Sequence, residues 1–525
     1  MVLLQVVLFL MMCAVALGWV ARHFKFPYPI ALVIGGALLG FVPRLPQLQF
    51  DPQFLLVLVL PPILYQAALL TSWHEFKANI RPIGLLAIGL VIATTLAVGA
   101  TLKLLIPDIP WAAAFVLGAI VSPPDVAAAT AILSRLNIPR NVVTVLEGES
   151  LVNDASGLVI YKFAVAAVLT GAFSLWEASV QFVGVAVGGV VIGVVMGRLF
   201  VFIHRYLGDA FIEVLTTLAV PYVTYIIAES LDVAGVHASG VLAVVAAGIV
   251  RGRYSPEIVS AEMRIIARSV WNLLVFLLNT LIFILIGVQL SGIIGRLTDY
   301  SLGELFFYGT FVSAVAIFVR FAWVYPATYL PLVVRAMLGE QVAPPREGEV
   351  FIMGWCGMRG IVSLAAALAL PQTLQDGSPF PERDLIIFLT FVVIAVTLVL
   401  QGLTLKPLIR MLKVGRDWSL QEEQQRAQMA LGKAAIAAID AVAAKDGISN
   451  ELAERIRAEF AEKITLSVPG GLVLRHSGAD DARRLRDAAV KAERQELIRL
   501  WRENQISDEV LHHIEEDLDY QESRI

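Results

Sequence analysis

The chain is 525 residues long, with 58% hydrophobic and only 16% charged residues. This composition excludes a water-soluble enzyme of this length and indicates a membrane protein. The net charge of −4 carries little information, because it averages a membrane part with a polar tail. Its two cysteines, Cys13 and Cys356, lie in separate apolar runs, so no disulfide framework is implied.

Most of residues 1–412 consists of apolar runs that can cross a bilayer as helices of about 20 residues each. We therefore predict an all-α polytopic membrane protein with about thirteen transmembrane helices, the first a retained span and not a cleaved signal. The predicted spans are 2–21, 27–42, 53–71, 80–106, 111–133, 143–170, 178–203, 211–229, 234–251, 268–291, 303–333, 349–371 and 384–412.

Basic residues are concentrated in alternate connections between these spans. One set of connections carries most of the arginines and lysines, among them Arg140, Arg264 and Arg268, and the opposite set carries few. The positive-inside rule places the rich set in the cytoplasm. We expect a multi-pass protein of the cell membrane, with its N-terminus outside and its C-terminal tail in the cytoplasm.

Two of the predicted spans are interrupted at matching positions. Residues 111–133 contain Ser122-Pro-Pro-Asp125, and residues 349–371 contain Gly354-Trp-Cys-Gly-Met-Arg-Gly360. Proline removes a backbone donor, so both spans are expected to unwind near mid-membrane. Each interrupted span is the middle one of a group of three spans, and the two groups are inverted relative to each other. Interrupted helices at equivalent places in inverted halves are the sequence pattern of a secondary transporter's binding site.

The composition changes after Leu412. Residues 413–525 are rich in Glu, Arg, Lys and Ala, with helices predicted near 419–445, 450–465 and 480–502 and a last helix starting at Ser507. This tail contains no metal, nucleotide or nucleic-acid motif. We interpret it as a cytoplasmic helical appendage for assembly or regulation.

One span carries the most informative charge. Asp154 lies in the apolar run 143–170, where a charged side chain costs roughly 2.5–3.5 kcal/mol on insertion scales and is rarely found without a task. Ser150 is one helical turn earlier and faces the same side. A carboxylate can hold one Na⁺ or one H⁺, and the neighbouring Asn153 adds no second titratable charge. One-for-one, electroneutral exchange is the natural prediction.

The other charges inside the spans are predicted to have structural roles. Glu149 points to a different face from Asp154 and needs a cation, which Arg320 in span 303–333 can supply. Asp125 and Arg359 fall in the two interruptions, where they can neutralise exposed helix N-termini and C-terminal carbonyls.

Backbone and hydroxyl oxygens near the first interruption can help to coordinate a cation, since hard ions favour oxygen ligands. The candidates are the Pro124 carbonyl and Ser122. Two further polar residues are weaker candidates. Lys162 is expected to extend outward or to pair in an external funnel, and Gln66 is expected to be a packing group.

These residues resemble those of the monovalent cation/proton antiporter family, which includes the sodium/proton exchangers. The resemblance covers nearly the whole membrane part, and the segments that carry it are Gly148-Glu-Ser-Leu-Val-Asn-Asp154, the Asp125 interruption, Leu60-Pro-Pro-Ile63, His237-Ala-Ser-Gly240, Phe283-Ile-Leu-Ile-Gly287 and Gly357-Met-Arg-Gly360. It implies two inverted six-helix repeats with two broken, crossing helices.

The resemblance also implies a core (80–170 and 303–412), a dimerisation part (1–71 and 178–291) and elevator-like movement of the core in a homodimer. Asp154 would bind ion and proton in turn with help from Ser150, and Asn153 would tie to the helix crossing. Two departures stand out. This chain has Pro124-Asp125-Val126 where many members have Thr-Asp-Pro, and Gln66 where some have a glutamate.

The leading prediction is Na⁺(Li⁺)/H⁺ exchange without a cofactor or a nucleic-acid partner, and the nearest alternative is K⁺/H⁺ exchange on the same scaffold. A channel would need a continuous polar pathway or a filter-like repeat, and neither is visible. An intramembrane hydrolase would need a base beside Ser150. A transporter-like sensor that signals through its tail is a third alternative.

Overall fold

The computed structural model describes residues 2–23, 28–40, 52–125, 129, 133, 138–171, 175–233, 236–339, 344–374, 376–414, 419–466 and 480–522. Its helices are α1 (Val2–His23), α2 (Tyr28–Gly40), α3 (Pro52–Leu70), α4 (Trp73–Ala78), α5 (Ile80–Leu105), α6 (Trp111–Val121), α7 (Arg140–Thr170), α8 (Leu175–His204), α9 (Ala210–Ser230), α10 (Gly240–Ile258), α11 (Ala261–Arg296), α12 (Leu302–Met337), α13 (Glu347–Trp355), α14 (Ile361–Leu368), α15 (Arg383–Met411), α16 (Ser419–Asp446), α17 (Asn450–Leu466), α18 (Asp480–Arg502) and α19 (Asp508–Glu522). Two short strands, β1 (Asp232–Val233) and β2 (Val236–His237), pair antiparallel.

The prediction of an all-α membrane protein is confirmed. Within the described ranges, eight helices are long and apolar enough to cross a membrane, and four shorter apolar helices accompany them. Seven of the eight coincide with predicted spans, and the eighth, Leu420–Asp446, lies in the predicted tail. The count of thirteen spans stays a prediction.

The ninth predicted span, 234–251, is wrong at both ends. The chain first forms the β1–β2 hairpin, and α10 begins only at Gly240, where the Ser239 hydroxyl accepts a hydrogen bond from Leu242 N–H at 3.3 Å. The helix then runs to Ile258, so Arg251 lies within it and is buried. Hydropathy averaged over a window does not register an N-cap, which explains the displaced start.

The apolar helices pack most closely within two groups. One group contains α1–α3 and α8–α11, and the other contains α5–α7 and α12–α15. In the first, α2 and α11 cross at Gly36 and Gly287, where a Cβ on Gly36 would lie 2.5 Å from the Ile284 carbonyl oxygen. The two backbones therefore approach directly. The groups meet where α11 contacts α15 and α14 contacts α3, which places α14 at their boundary.

Helices α16–α19 form a second hydrophobic core of their own. The buried residues of α16 recur every fourth position on one face, at Ala427, Leu431, Ala435 and Ile439, and α16 packs against α18. This one-sided pattern is that of an amphipathic helix in a polar bundle, which accounts for the apolar average of Leu420–Asp446. The predicted start of the last helix is confirmed, because the Ser507 hydroxyl accepts from Val510 N–H at 3.3 Å.

Candidate functional site: a crossing of two interrupted helices

Two interrupted segments meet inside the second helix group. α6 ends at Val121 and is followed by non-helical residues up to Asp125, while α13 and α14 are separated by residues 356–360. The Asp125 N–H donates a hydrogen bond to the Met358 carbonyl at 2.7 Å, so the two interruptions are in direct contact. Beyond Asp125, the predicted remainder of span 111–133 lies outside the described residues, apart from Ala129 and Leu133.

The Asp125 carboxylate lies at the N-terminus of α14. A Cβ built on Gly360, the residue immediately before this helix, would overlap the carboxylate, so only glycine leaves room for it. The first turn of a helix presents unpaired N–H groups and a partial positive charge, which a carboxylate stabilises. The placement agrees with the neutralising role that we expect for Asp125.

Arg359 lies at the opposite kind of helix end. Its side chain is buried, and its Nε donates to the Val121 carbonyl, at the last residue of α6, at 2.7 Å. Its guanidinium also donates to the Gly357 carbonyl, and its backbone N–H donates to Thr397 Oγ1 at 3.1 Å. Because the C-terminus of a helix carries unpaired carbonyls and a partial negative charge, a cation is favourable there.

Glu149 and Arg320 form an ion pair with no solvent exposure of either side chain. Arg320 Nη1 and Nη2 donate to the two carboxylate oxygens at 2.5 and 2.9 Å. Its Nε and Nη2 also donate to the Met353 carbonyl near the end of α13, at 3.1 and 3.0 Å. One arginine on α12 thus holds α7 and the first half of the second interrupted segment.

Asp154 lies in α7 beside this crossing and is only 6% exposed. Its carboxylate accepts no hydrogen bond from any other described residue, and the nearby Asp125 carboxylate acts on it electrostatically. Ser150, one turn earlier on the same side of α7, is half-buried. Among the described residues, no basic side chain forms an ion pair with the Asp154 carboxylate.

The residue before Asp154 ties α7 to the first interruption. The Asn153 amide donates through Nδ2 to the Pro124 carbonyl at 3.1 Å. Its Oδ1 is buried and has no hydrogen-bond partner among the described residues. The Asn153 side chain therefore links α7 to the first interruption and has one buried amide oxygen free to accept among the described residues.

The oxygen atoms near the first interruption retain capacity to accept. Ser122 donates its hydroxyl proton to the Ala119 carbonyl at 2.9 Å, and the Pro124 carbonyl accepts a hydrogen bond from Asn153. Each oxygen has a further lone pair. Among the described residues there is no group of three or more His, Cys, Asp or Glu side chains suited to a metal ion.

The weaker candidates lie away from the crossing contacts. Lys162 Nζ pairs with both carboxylate oxygens of Glu229 on α9, at 2.8 and 2.9 Å, and is largely exposed. Gln66 Nε2 donates to Asn272 Oδ1 on α11 at 3.3 Å. Neither partner is predicted from the sequence, although an acidic residue at the end of span 211–229 is a visible signal for Glu229. The side chain of His237 lies outside the described residues.

Interrupted helices that cross, with opposite charges at their ends and a buried carboxylate beside them, define a secondary transporter. The transmembrane model of the sodium/hydrogen exchanger family matches residues 7–411 of the chain. The chain belongs to the sodium/hydrogen exchanger family. It is a membrane-embedded cation/proton antiporter and not an enzyme.

Similar proteins agree with this assignment. An uncharacterized Na(+)/H(+) exchanger of Mycobacterium bovis is 34% identical, over 99% of this chain and 96% of its own length. A sodium, potassium, lithium and rubidium/H(+) antiporter of Bacillus pumilus is 36% identical, over 76% of this chain and 61% of its own length. The structure of the sodium proton antiporter MjNhaP1 from Methanocaldococcus jannaschii matches with a TM-score of 0.64 at 20% identity, covering 78% of this chain and 99% of that one. This last match establishes the shared fold.

Proposed function

We propose that this protein exchanges Na⁺, and also Li⁺, for H⁺ across the cell membrane, and that Asp154 carries both ions in turn. The observation that supports the proposal is the isolation of this buried carboxylate beside the crossing, where it has no hydrogen-bond partner among the described residues. An isolated buried carboxylate is strongly favoured to bind a counter-charge, and a proton and a small cation compete for it.

Exchange through one carboxylate is one-for-one. The Na⁺-loaded and the H⁺-loaded forms of Asp154 carry the same charge, because Asn153 cannot ionise and Asp125 is committed to the N-terminus of α14. The cycle is therefore electroneutral. Ser150, Ser122 and the Pro124 carbonyl would supply neutral oxygen ligands, which suit a hard monovalent cation.

Alternating access requires the bound ion to face each side in turn. We propose that the group α5–α7 with α12–α15 is a transport core that moves in an elevator-like manner along the group α1–α3 with α8–α11. The latter would form the interface of a homodimer and serve as the fixed scaffold. The arrangement of the chain in the membrane would follow its basic connections, with the tail in the cytoplasm.

K⁺/H⁺ exchange is the second candidate. It is favoured by the name of the Bacillus pumilus relative, which includes potassium and rubidium. Two departures of this chain bear on cation choice: Pro124 supplies no hydroxyl at the first interruption, and Gln66 supplies an amide without charge. The chemistry at Asp154 would be the same for either cation.

A cation panel tests the proposal. Everted vesicles from an exchanger-deficient host are acidified by respiration, and a fluorescent dye reports pH recovery after addition of Na⁺, Li⁺ or K⁺. We expect recovery with Na⁺ and Li⁺ that is lost in Asp154→Asn and retained in Asp108→Asn, a matched change at an exposed loop aspartate. Recovery with K⁺ that depends on Asp154 would select the second candidate. Recovery unaffected by Asp154→Asn would remove Asp154 from the mechanism.

A further inference from the structure

The last helix of the tail, α19, is bound firmly to the first helix group. Arg264 on α11 donates to both carboxylate oxygens of Asp519, at 2.8 and 2.6 Å, and lies 3.3 Å from Glu515. These side chains are 9%, 2% and 6% exposed. Arg268 pairs with Glu516 at 2.7 Å. A buried, bidentate arginine–carboxylate contact is among the stronger polar contacts available, so this end of α19 is an anchor.

The start of α19 contacts the other helix group. Arg140, the first residue of α7, pairs with Glu509 on α19 at 3.2 Å and with Glu423 on α16 at 2.9 Å. Glu423 also accepts a hydrogen bond from the backbone N–H of Ser507, just before α19. A single arginine of the proposed transport core therefore receives two carboxylates of the tail.

Between these two attachments, the tail contacts one of the connections that join the two groups. This connection, Thr71–Asn79, leads from α3 to α5 and contains α4. The Ser72 hydroxyl donates to the Asp508 carboxylate, and the rings of His74 and Trp501 meet edge-on with centroids 6.0 Å apart. A cavity of about 250 Å³ remains between this connection and the tail.

We propose that the tail is a strap that restrains transport by joining the transport core to the scaffold. The inference rests on the proposed function, because only a core that moves along the scaffold is slowed by a strap across their boundary. Relative movement must break the Arg140 contacts or the Arg264 contacts. The Arg140 contacts are more exposed, so they release first, and their strength sets the rate of the conformational step.

Charge reversal tests the strap on the intact protein. The variant E423K/E509K places two cations against Arg140, so this attachment is lost while the anchor at Arg264 remains. We expect the initial rate of Na⁺-driven exchange in vesicles to rise roughly two- to thirtyfold, the range for two partly exposed ion pairs. Hydrogen exchange of the 508–511 backbone should rise in parallel.

Two comparisons separate release of the strap from general damage. Adding Arg140→Glu to E423K/E509K restores opposite charges and should return the rate to that of the parent protein. The matched variant E454K/E496K reverses two carboxylates whose arginine partners lie within the tail, and should leave the rate unchanged.

The outcomes distinguish the strap from the proposed function. If the parent protein exchanges cations and E423K/E509K is no faster at an equal amount of protein, the strap alone is overturned. The strap is also overturned if E454K/E496K exchanges as fast as E423K/E509K. It is overturned as well if adding Arg140→Glu to E423K/E509K does not lower the rate. A parent protein that exchanges no cation in any panel overturns the proposed function, and the strap falls with it.

Discussion

The ion pair between Glu149 and Arg320 should be one of the strongest single determinants of stability in the membrane part. Neither side chain is exposed, and the pair joins α7 to α12 while Arg320 also holds the Met353 carbonyl of α13. The change Glu149→Gln leaves the Arg320 charge buried without its counter-charge. An uncompensated buried charge of this kind costs about 3–5 kcal/mol.

The chain contains a matched control. Arg296 and Asp384 form a similar two-bond arginine–carboxylate contact, at 2.9 and 3.1 Å, but their side chains are 52% and 29% exposed. Because water screens this pair, Asp384→Asn should cost only about 0.2–1 kcal/mol. The chemistry of the two changes is nearly the same, so burial accounts for the expected difference of roughly 2–5 kcal/mol.

Reversible unfolding of the purified protein in mixed micelles measures both losses on one scale. A double change of Glu149 and Arg320 to methionine removes both charges and keeps apolar volume, so it should cost less than Glu149→Gln alone. Burial does not determine the cost if Glu149→Gln costs no more than Asp384→Asn, or if the double change is the most damaging of the three.

The remaining predictions concern the crossing, the charge balance and the tail. Gly360→Ala should abolish exchange without removing the protein from the membrane, because its Cβ overlaps the Asp125 carboxylate; vesicle transport and protein abundance measure this. The exchange rate should not change when a potassium diffusion potential is imposed, since one cation moves against one proton. Burial alone would raise the pKa of Glu515, but a hydrogen bond from His512 and the charge of Arg264 hold it below its ordinary value of 4.5. Because the pKa of Glu515 is lower in the folded protein, the contact stabilises α19 fully above pH 4.5, and the stabilisation is lost as pH falls through the lowered pKa. Hydrogen exchange of α19 should therefore stay slow down to about pH 5.

Each of these has a control and a contradicting result. Gly295→Ala adds a Cβ with nothing within 4 Å and should be harmless; equal behaviour of the two glycine variants would argue against the overlap. A rate that follows the imposed potential would exclude one-for-one exchange. Rapid exchange of α19 at pH 6 would show that the Glu515 contact is not what holds the helix.

Most of the membrane helices were predictable because apolar length is a direct consequence of bilayer thickness. The ends of α7 and α15 fall within a few residues of the predicted spans. The interruption at Cys356–Gly360 was also predictable, because two glycines and one charged residue lie close together there within an apolar run. Hydropathy did not reveal α4, which has only six residues, three of them polar or charged at His74, Glu75 and Lys77.

The charged contacts of the crossing were predictable for a different reason. Few charges lie inside the apolar runs, so Glu149 had few possible partners, and Arg320 is the one that the structure gives it. The partner of Lys162 was harder to predict, since Glu229 lies at the end of a span where water can also satisfy a charge. The roles of Asp154, Ser150 and the neighbouring oxygens in ion binding remain predictions.

The contacts of the tail were not predictable from the sequence. In the sequence, Arg140 and Arg264 are recognisable only as basic residues that mark one side of the membrane. In the structure they bind carboxylates of α16 and α19 that are more than 200 residues away. Polar surfaces leave no periodic signal of the partner they bind. Only the folded structure therefore reveals that the tail contacts both helix groups, through Arg140 on α7 and Arg264 on α11.

The most direct test of the account is the apparent Michaelis constant for Na⁺ as a function of pH. If one carboxylate holds either Na⁺ or H⁺, the constant should rise roughly tenfold for each pH unit on the acidic side, with the maximal rate unchanged, because one proton competes with one cation. Raising Na⁺ should then shift the acidic limb of the activity curve to lower pH. A Michaelis constant that stays the same while the maximal rate falls would contradict competition at Asp154 and would place the pH dependence elsewhere in the protein.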